Sequence, residues 1–304
     1  MRPGSSTVET TSETAVARPL VTTIGDYFEL TKPTIVWLIL MSTVVAFYLA
    51  SDGPLAYWLL LHTVVGTGLL AGGSGALNQW FEREADGKMR RTENRPLPAG
   101  RLASIPAMWF GVAISVAGMI YLFAAVNPLT ALIGLLTLAS YLFLYTPLKS
   151  RTWLSTFVGA FPGAAPPLIG WAAVRNELGW EAWVLFAILF LWQFPHFYAI
   201  AWMYREDYAR AGILMLPVVE PDGASTGRQI VAYAALLVPI SLAPTWLGLT
   251  GSVYFFGALA VSLFYLFFGI LCARRRTGVQ ARRLLQASVL YLPLIYCFLV
   301  LNKT

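Results

Sequence analysis

The stretch Tyr57-Trp-Leu-Leu-Leu-His-Thr-Val-Val-Gly-Thr-Gly-Leu-Leu-Ala-Gly-Gly-Ser-Gly-Ala-Leu-Asn-Gln-Trp80 contains no Asp, Glu, Lys or Arg. As an α-helix it reaches about 36 Å at about 1.5 Å per residue. A bilayer's hydrocarbon core is about 30 Å thick, so the stretch is long enough to cross it. It runs directly into Phe81-Glu-Arg-Glu-Ala-Asp86, and acids and bases then interleave as far as Arg101. An apolar helix that ends in a charged border reads as a transmembrane span. Hydropathy predicts about nine such spans, near 34–50, 57–80, 104–124, 129–146, 154–174, 182–204, 229–248, 252–273 and 284–301. Barrel strands would be about ten alternating residues each, so the expected fold class is all-α and polytopic. Composition agrees: 58% of residues are hydrophobic and 12% charged, where a soluble domain carries roughly 25% charged.

Nine spans put the two ends of the chain on opposite sides. With the N-terminal side inside, all but Arg175 and Lys303 of the 21 Lys and Arg residues fall in inside segments. The positive-inside rule therefore predicts a cytoplasmic N-terminus. The formal charge of +6 follows from this topology and requires no nucleic acid. Residues 1–25 are rich in Ser, Thr and Glu, and are expected to be a disordered cytoplasmic tail before a single transmembrane domain over 26–304. No cleavable signal peptide is visible, so the first span is expected to direct insertion into a cell membrane. Glu9 and Glu13 argue against a mitochondrial transit peptide. Cys272 and Cys297 are expected to be packed thiols, since their spacing suits neither a disulfide framework nor a metal.

Two inside segments carry chemistry. In 78–101, Asn78, Glu82 and Asp86 are spaced i, i+4, i+8 and share one helix face. Three oxygen ligands in a row suit a hard cation such as Mg²⁺. The bases around them, Arg83, Arg91 and Arg95 among others, suit phosphate oxygens. The pattern points to a diphosphate held through metal at the edge of a membrane. The second segment, 193–217, lies four spans later. It too starts on an apolar helix, turns acidic at the inside end and closes in a Gly/Pro loop. This suggests a repeat of four-helix units, with Asp86 and Asp207 as ligands on opposite walls. His196 lies about two turns inside Tyr204, and an ionisable group at that depth is a functional candidate. It can instead be a neutral imidazole bonded to a neighbouring helix. His62, near the outer end of its span, reads as interfacial. Trp80, Phe81, Phe194, Phe197, Tyr198 and Trp202 are either interfacial anchors or cation–π donors to a carbocation.

The row Asn78-x3-Glu82-Arg83-x2-Asp86, followed by Arg91-Thr92 and Arg95-Pro96-Leu97, resembles the first signature of the UbiA superfamily of intramembrane prenyltransferases, in its heme-farnesylating form. The resemblance recurs at Leu30-Thr-Lys-Pro33, at Tyr145-Thr-Pro-Leu-Lys-Ser-Arg-Thr152, at Pro166-Pro-Leu-Ile-Gly-Trp171, at Pro195-His-Phe197 and at Asp207-Tyr208-x2-Ala211-Gly212. It implies nine helices around a central chamber. It implies that farnesyl diphosphate ionises with Mg²⁺ held by Asn78, Glu82, Asp86 and Asp207, while Lys149, Arg83, Arg91 and Arg95 bind the diphosphate. A vinyl group of heme b then takes the farnesyl group and water caps the product, heme O. His196 would serve the porphyrin as iron ligand, base or orienting group. Heme A synthase or terminal-oxidase assembly proteins are the implied protein partners, in the cell inner membrane.

Two other readings stand beside this one. A related enzyme acting on a quinone precursor or a chlorin would favour an Asp-rich second segment in place of His196 and a single Asp207. A transporter would need polar residues along several spans, whereas here they gather at one end.

Overall fold

The computed structural model describes residues 20–304. Among them, nine helices are long and apolar enough to cross a membrane: Pro33–Ala50, Tyr57–Asp86, Ser104–Ala125, Pro128–Leu148, Ser155–Arg175, Trp180–Met203, Ala224–Trp246, Ser252–Arg275 and Gly278–Leu301. They are spans 1 to 9. Each matches an expected span, but several extend further at the charged end. Span 2 continues to Asp86, span 7 starts at Ala224 and span 9 at Gly278. Hydropathy sees only the apolar part of a helix. The backbone stays helical past the border because its N–H and C=O groups still need partners there.

The tail expected over 1–25 lies outside the described residues as far as 19. Its last residues belong instead to a helix, Leu20–Leu30, ahead of span 1. That helix is tied down: Arg101 forms ion pairs with Asp26 and Glu29. The turn into span 1 is made by Lys32 in the left-handed region, φ 54°, with Pro33 opening the helix.

Lipid supplies little hydrophobic force between spans, so they associate by close packing of small residues. Spans 2 and 3 meet through glycines. A Cβ on Gly73 would lie 2.1 Å from Ser115 Oγ. Span 5 is broken at Ala165, where Pro166 and Pro167 restart the helix. It is the most enclosed of the nine, with 72% of its apolar window buried. Its second half presses Gly170 onto span 1, where a Cβ would come within 2.0 Å of the Thr43 carbonyl oxygen. The first and last spans close the ring: Tyr296 donates to Ser42 Oγ at 2.8 Å, and Lys303 donates to the Tyr48 carbonyl at 2.7 Å. Cys272 is buried, as expected, but Cys297 is exposed on the outside of span 9.

Span 4 ends in a π-helical stretch, Ser140–Tyr145, before Pro147. Thr146 Oγ1 donates to the Tyr141 carbonyl at 2.9 Å there. Such turns are uncommon and often mark functional sites, because the wider turn re-aims side chains. Here both Tyr141 and Tyr145 face the space enclosed by the bundle.

Candidate active site

The charged ends of the expected segments meet at one end of the bundle. The 88–91 turn packs on 204–215: Arg91 donates to Tyr208 Oη at 2.8 Å, and Met89 packs with Ala201, Ile213 and Met215. Lys149 joins them through its carbonyl, which accepts from Leu214 N at 2.8 Å.

Asn78, Glu82 and Asp86 lie on span 2, and each has its own base. Lys32 Nζ donates to Asn78 Oδ1, whose amide donates to Thr146 Oγ1 at 3.2 Å. Lys149 Nζ lies 2.6 Å from Glu82 Oε1 and also sits 4.5 Å from the centre of the Tyr145 ring. Arg95 pairs with Asp86, itself 1% exposed, at 2.7 Å. Asp207 pairs with Arg210, three residues along its own short helix. Burial opposes the charge on Lys149, but the Glu82 carboxylate and the Tyr145 and Tyr141 side chains together outweigh it and hold the ammonium well above the usual lysine value. Lys32 goes the other way. Burial pulls it down to about 7, with Glu82 pulling it back up and Arg95 and Lys149 adding to the depression.

The expected ligands do not form one closed cage. Among the described residues no three of His, Cys, Asp and Glu gather as a metal site. The physical reason is the pairing just described: each carboxylate is neutralised by a neighbouring base. Oxygen donors in a row beside bases still fit a metal-bound diphosphate. The anion can take over the bases and leave the carboxylates to the cation. Asp207 lines a separate polar cleft with Arg205, Glu206 and Arg276. Arg83 is not brought to the cluster. Its guanidinium donates to the Trp80 carbonyl, pairs with Glu84 and lies over the Trp80 ring.

A chamber of about 520 Å³ opens beside this cluster. Lys32, Tyr141 and Tyr145 stand at its charged end, His196 and Trp192 are part of its wall, and most of the remaining lining is aliphatic. Of the aromatics proposed from sequence, only Phe197 lines the chamber. Phe81 is exposed on the surface, while Phe194 stacks on Tyr233 at 3.8 Å within the core. Sequence reasoning gave no role to Lys32 or to the tyrosines, although Leu30-Thr-Lys-Pro33 and Tyr145-x3-Lys149 had been singled out. A lysine directly before a helix-opening proline was the available signal. His62 bonds Tyr121 at 2.8 Å, away from the chamber.

A membrane bundle with a largely apolar chamber capped by paired acids and bases is the architecture of an intramembrane prenyltransferase. The UbiA prenyltransferase family matches over residues 39–293, and the chain belongs to that family. Within it, the protein is similar to the protoheme IX farnesyltransferase of Solibacter usitatus, 58% identical over 91% of this chain and 98% of the relative. That of Koribacter versatilis is 47% identical over 97% and 98%. The fold matches digeranylgeranylglyceryl phosphate synthase with a TM-score of 0.77, at 15% identity over 92% of this chain and 98% of that one. It also matches a UbiA homologue from Archaeoglobus fulgidus bound to GPP and Mg²⁺, with a TM-score of 0.66 at 15% identity over 90% and 99%.

Proposed function

We propose that the chamber is where a farnesyl group passes from farnesyl diphosphate to a vinyl group of heme b, giving heme O. The observation that carries this reading is the continuity of the chamber from Lys32 and Tyr145, beside the acid–base pairs, to His196. Lys149, Lys32, Arg91 and Arg95 hold the diphosphate oxygens. Arg83 serves the edge of the site only by fixing the end of span 2. Asn78, Glu82 and Asp86 would hold Mg²⁺, with Asp207 contributing from its separate polar cleft, and the ion would supply charge neutralisation for the leaving diphosphate.

The farnesyl C–O bond breaks, and both of its electrons leave with the diphosphate. The Tyr141 and Tyr145 rings face the allylic cation, and the aliphatic wall keeps water from it. The vinyl carbon attacks. Water then adds to the cation beside the porphyrin ring and loses a proton, leaving a hydroxyl group.

The N-terminal side faces the cytoplasm of a cell inner membrane, on the strength of the Lys and Arg distribution. Heme A synthase or terminal-oxidase assembly proteins are the partners that would take the product.

The test is mass analysis of membranes containing the protein, supplied with farnesyl diphosphate and heme b. Heme O is expected. A prenylated quinone precursor or chlorin, with heme b unchanged, would overturn the proposed acceptor.

A further inference from the structure

His196 is held in one orientation by span 9. Its Nδ1 lies 2.7 Å from Ser288 Oγ, and its ring stacks on Trp192 at 4.9 Å between centroids and 26° between planes. Trp192 is fixed in turn, donating from Nε1 to the Ser288 carbonyl at 2.9 Å. Ser288 is fully buried.

The direction of the His196 bond follows from the other contacts of Ser288. Its Oγ lies 2.6 Å from the Leu285 carbonyl oxygen. A carbonyl can only accept, and Tyr265, which also bonds Ser288, gives its own proton to the Trp192 carbonyl, so the one hydroxyl proton of Ser288 goes to Leu285 or Tyr265 and not to His196. Ser288 Oγ then meets His196 as an acceptor, and Nδ1 must be the nitrogen that carries the proton. A neutral imidazole has one such nitrogen, so Nε2 keeps its lone pair. Among the described residues Nε2 has no hydrogen-bond partner, and His196 lines the chamber while Ser288 does not.

We propose that Nε2 of His196 binds the iron of the porphyrin substrate, and that Ser288 is the positioning residue that keeps the lone pair on that nitrogen. Metal-binding histidines commonly donate their second N–H to a fixed acceptor, which sets both tautomer and ring plane. The Leu285–Ser288–His196 chain is such an arrangement, prepared before any substrate enters. Among the described residues the other possible iron ligands lining the chamber are Tyr141 and Tyr145, which stand at its charged end beside Lys149 and Glu82 rather than beside His196. Neither cysteine lines the chamber, His62 faces Tyr121, and Lys32 is bonded to Asn78. The inference deepens the reading of heme b as acceptor and rests on it.

The experiment titrates the purified full chain in nanodiscs with ferric heme b and follows the optical and electron paramagnetic resonance spectra. The wild type is expected to give a nitrogen-ligated heme. His196→Ala should lose that signature, and added imidazole should restore it. Ser288→Ala should keep the signature but bind heme roughly 10- to 100-fold more weakly, the usual loss when a ligand's supporting partner is removed. Ser288→Thr, which retains a hydroxyl, should recover most of the affinity. Binding of a non-hydrolysable farnesyl diphosphate analogue should be unchanged in all three variants, which controls for folding. A wild-type spectrum in His196→Ala would overturn the iron ligand, and unchanged affinity in Ser288→Ala would overturn the positioning role. Failure of the acceptor assignment is seen separately, as a wild-type protein that binds the analogue but makes no heme O.

Discussion

Lys149 and Glu82, brought together from the ends of spans 4 and 2, meet with Nζ 2.6 Å from Oε1 at the charged mouth of the chamber. The pair fastens the loop after span 4 to the acidic row of span 2. It also helps keep an ammonium charged in a buried place, since Glu82, with Tyr145 and Tyr141, outweighs the burial that opposes the charge. In the proposed reading, that cation is in place before the diphosphate arrives. Lys149→Met is expected to lower kcat/KM for farnesyl diphosphate by about 100-fold or more, the scale for losing one placed charge donor. The measurement is initial rate of heme O formation against farnesyl diphosphate concentration. A variant with unaltered kcat/KM would remove Lys149 from the site.

Lys32 sets a pH dependence. Burial lowers it to about 7, so the free enzyme carries the ammonium below that pH and loses it above. The charged form is the one that attracts a diphosphate, so kcat/KM should fall as pH rises through about 7. Stability runs the opposite way. The unfolded chain binds this proton up to the ordinary lysine value, so the folded state gains stability as pH rises from about 7 towards it. Lys32→Arg keeps its charge at every working pH and should flatten the activity limb. A limb that persists in Lys32→Arg belongs to another group.

The nine spans were legible because membrane helices carry their signal in length and polarity alone. The row Asn78, Glu82, Asp86 was legible because helical phase links residues four apart. The matching pattern of the two segments suggested acidic ends facing across a shared cavity; the 88–91 turn does pack on 204–215, but Asp207 lies in a separate cleft. The roles proposed for Lys32, Tyr141 and Ser288 were not legible. Lys32 acts through a left-handed turn, Tyr141 through a π-helical shift in phase, and Ser288 through contact with a residue 92 positions away. None of these leaves a periodic trace. Arg83 stands apart from the cluster because it folds back onto Trp80, which its neighbours in sequence do not reveal.

Gly170 tests the packing that closes the chamber. A methyl group there would meet the Thr43 carbonyl oxygen at 2.0 Å, and backbone on both sides leaves little room to yield. Gly170→Ala is expected to destabilise the bundle by about 1–3 kcal/mol, the usual range for overpacking. Unfolding followed by loss of the monodisperse detergent-solubilised peak should show a lowered midpoint. An unchanged midpoint would mean that spans 1 and 5 can separate freely.

Orientation is tested by cysteines placed at two exposed positions, Ser150 and Asp52, in a Cys297→Ser background. Asp52 pairs with Arg175, one of the two bases assigned to the outside, at 2.6 Å. Ser150→Cys should react with a membrane-impermeant maleimide only in inverted vesicles, and Asp52→Cys only in intact cells. The reverse labelling would turn the whole protein over.

Asp86 separates a metal ligand from a simple partner of Arg95. It is almost fully buried, and its carboxylate faces that one guanidinium at 2.7 Å. If the pair were only structural, Asp86→Asn would leave an amide able to stack and bond nearby, and activity would fall in step with folded protein. If Asp86 helps hold Mg²⁺, the amide keeps the shape but loses the charge that a hard cation requires. Asp86→Asn is therefore expected to insert and bind heme b normally, yet need at least about tenfold more Mg²⁺ for half-maximal rate, the scale of about 1.4 kcal/mol in cation binding. An Arg95→Gln variant supplies the contrast. It frees Asp86 for the cation, so its Mg²⁺ requirement should not rise, while its KM for farnesyl diphosphate should. Equal Mg²⁺ curves for wild type and Asp86→Asn would leave the aspartate as a partner of Arg95 alone.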